Sequence, residues 1–200
     1  MLVVVYCRVV PKLWNETIDA HRREVRDAIL DTTAALVFEH GLRAVTMSQV
    51  AEHTGIGRAT LYKYFPDMDA ILHAWHARQI DAHLRLLTET SDAPGDPGQR
   101  LAAVLTAYAR IAATARSHDT EMIKFLHPEQ QVLDAQQRLR AIVERLIADD
   151  AAAGRVRADI SPAELANYCL NALTAATVLT TDAEIDRLVD LTLDALRRRG

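Results

Sequence analysis

Cysteine and aromatic residues are both scarce in this chain of 200 residues. There are two cysteines, Cys7 and Cys169, and aromatic residues make up 5% of the sequence. The two cysteines lie far apart and show no C-x-x-C spacing, which indicates reduced thiols in a cytoplasmic protein. Neither cysteine has the features of a catalytic nucleophile.

A large excess of positive charge is also missing. The formal net charge is −4, which argues against a generally basic protein that coats nucleic acid. Any contact with DNA must therefore use a local basic patch. Apolar residues make up 50% of the sequence, so a chain of this length can bury a real core in one domain or in two small ones.

The motifs of common enzyme classes are absent from the sequence. There is no Gly-rich phosphate loop, no H-E-x-x-H motif, no nucleophile elbow and no facing pair of carboxylates at metal-ligand spacing. We therefore expect no catalytic residues, no bound metal and no cofactor. The alternative from another class is a helical enzyme or metal-dependent protein built on His73, His76 and His83, but no cysteine or carboxylate cluster accompanies these histidines.

The first residues of the chain are apolar but do not form a membrane segment. Residues 1–10 are interrupted by Arg8 and are too few to span a bilayer, so we expect no membrane partner. They also lack the basic start and the small-residue cleavage site of a signal peptide. We expect residues 1–20 to be an extension outside the folded domains, either disordered or, up to Val10, upstream of the natural translation start.

The stretch from Thr46 to Phe65 predicts two short helices joined by a tight turn. Thr46 and the glutamine three residues later have the spacing of a capping box, which begins a helix. Gly55 can take the left-handed conformation that ends this helix. Leu61 and Phe65, four residues apart, then anchor a second helix whose other faces are polar.

The polar faces of this second helix suit the major groove of DNA. Arg58 can pair with guanine, while Lys63 and hydroxyl groups can hold phosphates. Charge and aromatic content alone favour an ordinary helical hairpin with a solvated polar face. A further alternative is an adaptor whose helical pair docks on a protein rather than on DNA.

Apolar residues recur at steps of three and four through most of the chain, which predicts an all-α fold. The first helix is expected from His21 to Gly41, and the basic cluster His21–Arg23 at its start is either a phosphate- or minor-groove-binding arm or a solvated helix start. A fourth helix is expected from Asp67 to about Thr90, followed by a loop over Ser91–Gly98. Further helices are predicted from Asp96, over Thr120–Leu126 and Gln131–Ala153, and from Ser161 and Thr181.

The run Arg23–Ile80 closely resembles the DNA-binding domain of the tetracycline-repressor (TetR) family of bacterial transcription regulators. The resemblance lies in the segments ILDTTAALVFEHG and VTMSQVAEHTGIGRATLYKYFPDMDAIL. They combine the Gly after the first helix, the Thr-capped second helix, the Gly-x-Gly turn, the LYKYF helix and the Pro-Asp start of a fourth helix. This match covers over a quarter of the chain.

The resemblance implies a helix-turn-helix DNA-binding domain of three helices over residues 21–66 and a helical effector-binding and dimerisation domain over residues 67–200. It implies a homodimer on a palindromic double-stranded DNA operator, acting as a repressor that a small-molecule effector releases; activation stays open as the alternative. The implied DNA-binding residues lie at the start of the second helix and along the third: Thr46, Met47, Arg58, Ala59, Thr60, Tyr62, Lys63 and Tyr64.

Two residues depart from the family pattern. Gly57 stands where the family often has a Ser that caps the recognition helix. Met68 stands where a Lys often contacts phosphate. We therefore expect these two contacts to be weakened or absent.

The C-terminal half is expected to hold the effector pocket, between the fourth and eighth helices. Large or polar residues on otherwise apolar helices are the candidates, although each of them would also fit in a plain core. Modest aromatic content and few interior charges favour an uncharged or weakly polar effector. The candidate residues are Trp75, His76, Tyr108, Met122, Phe125, Tyr168 and Asn171.

The last two predicted helices each carry an apolar stripe. The stripes would either pair with those of a second subunit as a four-helix bundle, which the resemblance favours, or be buried within one subunit. The residues expected at the dimer interface are Leu165, Ala172, Ala176, Leu179, Ile185, Leu188, Val189, Thr192 and Leu196.

Overall fold

The structure is a computed structural model, and it describes residues 12–114 and 129–197. The described residues form α-helices and two short 3₁₀ segments, which confirms the all-α prediction. The helices are α1 (Lys12–His40), α2 (Met47–Thr54), α3 (Arg58–Tyr64), α4 (Met68–Asp92), α5 (Pro97–Thr114), α6 (Glu129–Ala152), α7 (Pro162–Leu173) and α8 (Asp182–Leu196). The 3₁₀ segments are Leu42–Ala44 and Thr174–Val178.

Helix α1 is longer than the sequence analysis predicted. It begins at Lys12 rather than His21, so residues 12–20 are helical and the expectation of disorder is wrong for them. Their place outside the folded domains stays a prediction. The predictions for residues 1–10 and for a helix over Thr120–Leu126 fall outside the described residues. The predicted end of α1 is confirmed, because Gly41 follows the helix with a φ of 82°, in the left-handed region that favours glycine.

The starts of three helices are set by capping boxes, as predicted. Thr46, Ser161 and Thr181 each accept a hydrogen bond from the backbone N–H three residues later, and the Gln or Glu at that position bonds back to the capping residue. These reciprocal bonds satisfy amides that a helix start leaves without an intrahelical partner. Local sequence therefore fixes these three starts.

The chain divides into two compact units, and the division falls inside α4. One unit ends at Trp75 and the other begins at His76, nine residues after the predicted boundary at residue 66. Pro66 and Asp67 separate α3 from α4, and the carboxylate of Asp67 accepts a hydrogen bond from the N–H of Ala70 at 2.8 Å. This bond caps the start of α4. The helix then runs without a break from the first unit into the second.

The N-terminal unit is built on the apolar side of α1. Residues on this side are almost fully buried, and α1 contacts α2, which in turn contacts α3. The buried residues of the unit are Ile29, Leu30, Thr33, Leu36, Val37, Val45, Val50, Ala51, Leu61, Phe65, Ile71 and Leu72.

The C-terminal unit is organised around α5, which contacts α6, α7, α8 and the second 3₁₀ segment. Its core contains Leu87, Leu101, Val104, Leu105, Ala109, Leu139, Val143, Leu146, Ile147, Val156, Leu165, Ala166, Cys169, Leu173, Ala176, Ile185, Val189 and Leu196. The loop between α4 and α5 is shorter than predicted, because α4 continues to Asp92. Arg145 of α6 holds this end of α4, donating to Ser91 Oγ and to Asp92 Oδ1 at 3.0 Å each.

A second polar cluster joins the start of α5 to the end of α6. Arg155 pairs with the carboxylate of Asp96, at 2.9 Å, and with that of Asp150. Asp150 is buried, so its charge depends on this guanidinium for compensation. Nearby, Val156 forms an isolated antiparallel bridge with Arg197, which fastens the end of α8 to the turn after α6.

Candidate nucleic-acid interface

Helices α2 and α3 form a helix-turn-helix whose turn is fixed by backbone hydrogen bonds. Gly55 has a φ of 74° and its N–H reaches the carbonyls of Ala51 and Glu52. The N–H of Ile56 also bonds to the carbonyl of Ala51, at 3.1 Å. This pattern ends α2 and redirects the chain, so that α3 begins at Arg58.

Helix α3 buries one side and exposes the others. Leu61 is fully buried and Phe65, at the C-cap, is 3% exposed, which confirms both as anchors. Five of the six residues predicted to contact DNA on this helix are exposed together: Arg58, Ala59, Thr60, Tyr62 and Lys63. Tyr64 is half-buried, so it offers less of its side chain to a ligand.

The start of α2 differs in one respect from the prediction that Thr46 and Met47 offer backbone amides to phosphate. The N–H of Thr46 donates to Gln49 Oε1 at 2.9 Å, and its hydroxyl donates to the same oxygen at 2.8 Å. Both donors of Thr46 are therefore occupied by the capping box. The first-turn amides suited to phosphate are those of Met47 and Ser48, which have no acceptor within the helix. Ser48 was missed, although the capping box in the sequence already implied that Thr46 was engaged.

The two departures from the family pattern have clear local consequences. Gly57 is the N-cap of α3 and provides no side-chain hydrogen bond to the helix start. The side chain of Met68 is half-buried at the start of α4, and a thioether offers no charge to a phosphate. Both positions therefore lack the contact that a Ser or a Lys would supply.

Helix α1 carries two basic features in its N-terminal half. His21–Arg23 are exposed and lie within α1, so they form part of a helix rather than an extended arm that could follow a minor groove. Arg26 lies one turn further on, and its guanidinium carbon is 4.6 Å from the centre of the Phe65 ring. Arg26 was not predicted to lie at this site, because its contact joins residues distant in sequence.

The predicted effector-pocket residues that the structure describes differ in burial. Tyr108 is half-buried against the C-terminal core, where burial raises the pKa of its hydroxyl. Trp75 and His76 are half-buried on α4, on either side of the boundary between the units. Met122 and Phe125 fall outside the described residues.

Tyr168 and Asn171 lie on the outer surface of α7. Tyr168 is 46% exposed, and the amide of Asn171, also exposed, donates to the carbonyl of Asn167 at 2.8 Å. They occupy the side of α7 opposite its buried stripe, so their side chains are exposed rather than internal. Their role in an effector pocket stays a prediction.

Among the described residues, the surface clefts of the C-terminal unit include two that no predicted pocket residue lines. The larger, of about 580 Å³, lies between the Asp96–Arg155 cluster and the end of α8. The smaller, of about 320 Å³, lies between α4 and α6 and is lined by Asp81, Arg85 and Arg138 among others. Among the described residues, no three His, Cys, Asp or Glu side chains gather as a metal site.

The predicted dimer interface needs correction. Of the nine residues, the six that are buried belong to the core of the chain itself: Leu165, Ala176, Ile185, Val189, Thr192 and Leu196. Ala172, Leu179 and Leu188 are half-buried. The stripes are apolar because they pack on α5 and on each other, so the alternative of burial within one subunit is correct for these six.

Other apolar side chains of this region face outwards. Val178 is 72% exposed and Leu191 is 66% exposed, and Tyr168 and Ala175 are exposed on the same side of α7 and its 3₁₀ extension. Tyr168, Ala175 and Val178 follow one another at steps of seven and three residues along α7 and its 3₁₀ extension, and Leu191 lies on α8. We call these four exposed residues the outer face.

In the described residues a helix-turn-helix unit is followed by a larger helical unit, and DNA-binding transcription regulators use the helix-turn-helix to enter the major groove. Comparison with known proteins defines the family. Residues 29–75 match the model of bacterial regulatory proteins of the tetR family. Residues 96–198 match the model of the transcriptional regulator SbtR-like C-terminal domain. The chain belongs to the TetR family of transcriptional regulators.

Individual relatives agree with this assignment. The transcriptional repressor KstR of Rhodococcus jostii is 34% identical over 90 residues, which are 44% of this chain and 41% of the relative. KstR of Mycolicibacterium smegmatis is 36% identical over 80 residues, 40% of this chain and 39% of the relative. The match thus spans about two fifths of each relative's length. A TetR/AcrR-family regulator from Thermobifida fusca has the same fold, with a TM-score of 0.74, 22% identity, and coverage of 86% of this chain and 98% of that one.

The described residues contain no candidate membrane-spanning helix. Within residues 12–114 and 129–197, no helix combines the length and the apolar character needed to cross a bilayer.

Proposed function

We propose that this chain is a ligand-responsive repressor that binds a palindromic operator as a homodimer in the cytoplasm and leaves it when a small molecule binds. The observation that carries the proposal is the exposed surface of α3. Arg58, Thr60 and Lys63 are exposed on a helix whose remaining side is anchored by Leu61 and Phe65. This arrangement fits a recognition helix in the major groove.

The residues of α3 should divide into sequence-reading and phosphate-binding groups. Arg58, at the N-terminus of the helix, is placed to contact base edges, and such a contact contributes about 1–3 kcal/mol of discrimination between bases. Lys63, one turn later, is placed to contact phosphate. Phosphate contacts strengthen binding to every sequence and make it depend on salt.

The test begins with selection of tight-binding duplexes from random DNA, followed by salt titrations of the selected duplex. Lys63→Ala should weaken binding to all duplexes and flatten the salt dependence, whereas Arg58→Ala should mainly relax sequence preference. Arg140→Ala, which removes an exposed arginine from α6, is the matched control and should change neither. Wild-type affinities for both variants would contradict the DNA interface.

The same selection separates the proposal from the other classes. An enzyme or a protein-docking adaptor should show no salt-sensitive, sequence-selective binding to DNA. Repression and activation are separated by transcription in vitro from a promoter that contains the selected operator. Repression predicts fewer transcripts when the protein is added and their recovery when the effector is present.

A homodimer is proposed through the outer face rather than through the buried stripes. A two-fold dimer presents two recognition helices to two half-sites, which matches a palindromic operator. Exposed apolar side chains such as Val178 and Leu191 would lose water on pairing, at about 25 cal/mol per Å² of apolar area. Such a contact stabilises the dimer without disturbing the core of either subunit.

The dimer is tested by placing a charge on the outer face. Val178→Asp and Leu191→Asp should convert the dimer to a monomer in sedimentation or light scattering, because an aspartate buried in an apolar contact is costly. Leu86→Asp, on a leucine of α4 that is 48% exposed, is the matched control and should stay dimeric. Dimers in all three variants would place the interface elsewhere.

The proposed effector is an uncharged or weakly polar molecule held in the C-terminal unit. Tyr108 supports this proposal, since it combines a half-buried ring with a hydroxyl whose pKa is raised by burial. A thermal-shift screen of small molecules should find ligands that raise the unfolding temperature and release the operator. Tyr108→Phe should weaken binding of those ligands that need its hydroxyl, while ligands that all bind Tyr108→Phe as tightly as the wild type would point to another pocket.

In the proposed mechanism the ligand acts through unequal affinity for two conformers. One conformer holds the recognition helices of the dimer at the spacing of the operator, and the other does not. Helix α4 belongs to both compact units, so it is the element through which we expect ligand binding to affect DNA binding. A ligand with equal affinity for both conformers would not release the operator however tightly it bound.

A further inference from the structure

Arg26 of α1 holds an unusual position at the end of the recognition helix. Its guanidinium lies over the ring of Phe65, 4.6 Å from the ring centre. Phe65 is the C-cap of α3, and its own N–H donates to the carbonyl of Leu61. Phe65 is 3% exposed while Arg26 is exposed, so a fixed aromatic ring supports a cation that remains open to solvent.

The stacked geometry leaves the hydrogen-bonding capacity of Arg26 available. Contact with an aromatic ring uses the flat face of the guanidinium, whereas its N–H groups point outwards in the guanidinium plane. Within residues 12–114 and 129–197, no hydrogen bond or ion pair of Arg26 accompanies the stacking contact. A planar fork of donors matches two oxygens of a phosphate.

The location of this fork suits the DNA backbone rather than a base edge. The recognition helix has seven residues, a length of about 10 Å at 1.5 Å per residue. The major groove is about 12 Å wide and is bordered by phosphates. A cation at the C-terminal end of a helix seated in the groove therefore lies close to the bordering strand.

A second arginine precedes Arg26 on the same side of α1. Leu30 and Thr33 are buried, and steps of four residues back along the helix lead from Leu30 to Arg26 and Arg22. Residues spaced in this way share one helical side. The side of α1 that is apolar within the core therefore becomes basic and exposed where the core ends.

We propose that Arg26, held flat against Phe65, binds an operator phosphate at the C-terminal end of the recognition helix, with Arg22 as a second contact one turn earlier. This inference rests on the proposed DNA-binding function. It adds α1 to an interface otherwise confined to α2 and α3. It also gives Phe65 a second role, because the ring that anchors α3 orients a phosphate-binding side chain.

The first test is a salt titration of Arg26→Gln on the selected operator and on a random-sequence duplex of about three helical turns. Each lost phosphate contact should reduce the slope of log K against log salt by about 0.9, which at 0.1 M salt corresponds to about eightfold weaker binding. The loss should be similar on both duplexes, because a phosphate contact carries no sequence information. Arg22→Gln should act in the same direction.

Arg140→Gln is the matched control, since it removes the same charge from an exposed position on α6. It should leave the slope unchanged. Thermal unfolding of each variant, measured without DNA, shows whether a change in binding comes from a damaged domain. A reduced slope in a variant that unfolds at the wild-type temperature cannot arise from packing alone.

The second test asks whether the ring is needed. Phe65→Leu keeps an apolar anchor but removes the flat face on which Arg26 rests. In this background Arg26→Gln should weaken binding by much less than in the wild type. Arg26→Lys should recover part of the salt slope but not the full affinity, because an ammonium keeps the charge and loses the planar fork.

The outcomes separate this inference from the proposed function. If the wild type shows no salt-sensitive binding to either duplex, the DNA-binding function itself is wrong. If the wild type binds and Arg26→Gln binds with the same slope and affinity, the phosphate contact is wrong and the stacking serves only to pack α1 on α3. An equal effect of Arg26→Gln with and without the Phe65 ring would overturn the role of the ring.

Discussion

Two glycines in the turn of the helix-turn-helix should respond to substitution in opposite ways. Gly55 has a φ of 74°, whereas Gly57 has a φ of −67° and a ψ of 144°, which any residue can adopt. A side chain at Gly57 would meet only the hydroxyl of Thr60, at 3.9 Å from the new Cβ. Space therefore limits neither position, and backbone conformation decides the result.

Two effects set the expected changes in the free energy of unfolding, namely the conformational freedom of the unfolded chain and the capping of the helix. Replacing glycine restricts the unfolded chain and contributes about 0.4–1 kcal/mol where the native conformation is compatible. Serine is better than glycine at an N-cap by a few tenths of a kcal/mol, so Gly57→Ser should stabilise by about 1 kcal/mol. Gly57→Ala should be close to neutral, because alanine is a poor N-cap. Gly55→Ala should destabilise by about 1 kcal/mol, since the left-handed conformation costs a non-glycine residue about 1–2 kcal/mol.

Denaturant unfolding of the three variants and the wild type measures this order directly. In a chain of this size about 1 kcal/mol should move the unfolding temperature by about 2–4 °C. If Gly57→Ser were less stable than the wild type, the conformation assigned to the start of the recognition helix would be wrong. If Gly55→Ala were as stable as the wild type, the left-handed turn would be wrong.

Three further predictions concern the C-terminal unit. Arg155→Ala should destabilise it by about 2 kcal/mol in denaturant unfolding, because the substitution leaves buried Asp150 without its partner. Arg110→Ala, which removes an exposed ion pair, should lower the free energy of unfolding much less. Equal losses of stability in the two variants would contradict the role of burial. Hydrogen bonds from Thr180 and Thr181 lower the pKa of Glu184 to about 2, so its stabilising effect is complete above its ordinary pKa of 4.5 and disappears as the pH falls towards 2. The difference in unfolding temperature between the wild type and Glu184→Gln should shrink over that range, and a constant difference would refute the assignment. Burial raises the pKa of the Cys169 thiol to about 12, so a thiol reagent should label Cys169 only in the unfolded protein, as measured by peptide mass mapping. Rapid labelling in the native protein would show that α7 is not packed as described.

Local signals in the sequence predicted helix starts and turns well. The capping boxes at Thr46, Ser161 and Thr181 involve residues three positions apart, so each one carries its own stabilising contacts. Gly41 and Gly55 were equally clear, because their conformations are forced by the ends of helices. The start of α1 at Lys12 was missed, since residues 12–20 contain no such cap and no clear apolar stripe.

Features that depend on contacts between distant residues were not accessible from the sequence. An apolar stripe shows that one side of a helix is buried, but not whether the same chain or a second subunit covers it. This ambiguity led Ile185 and Val189 to be placed at a dimer interface, although α5 covers them. The Arg26–Phe65 contact was hidden for the same reason, because it joins α1 to the end of α3.

The position of the unit boundary inside α4 restricts how this protein can change in evolution. A loop between domains tolerates insertions, but Trp75 and His76 are consecutive residues of one continuous helix. Each residue inserted there would turn everything downstream by about 100° and move it by about 1.5 Å. Recombination between relatives within α4 therefore preserves this register only if the residue count is preserved, whereas substitutions at the exposed positions of the helix do not change it. We expect the length of α4 to vary less among functional relatives than the identities of its exposed residues.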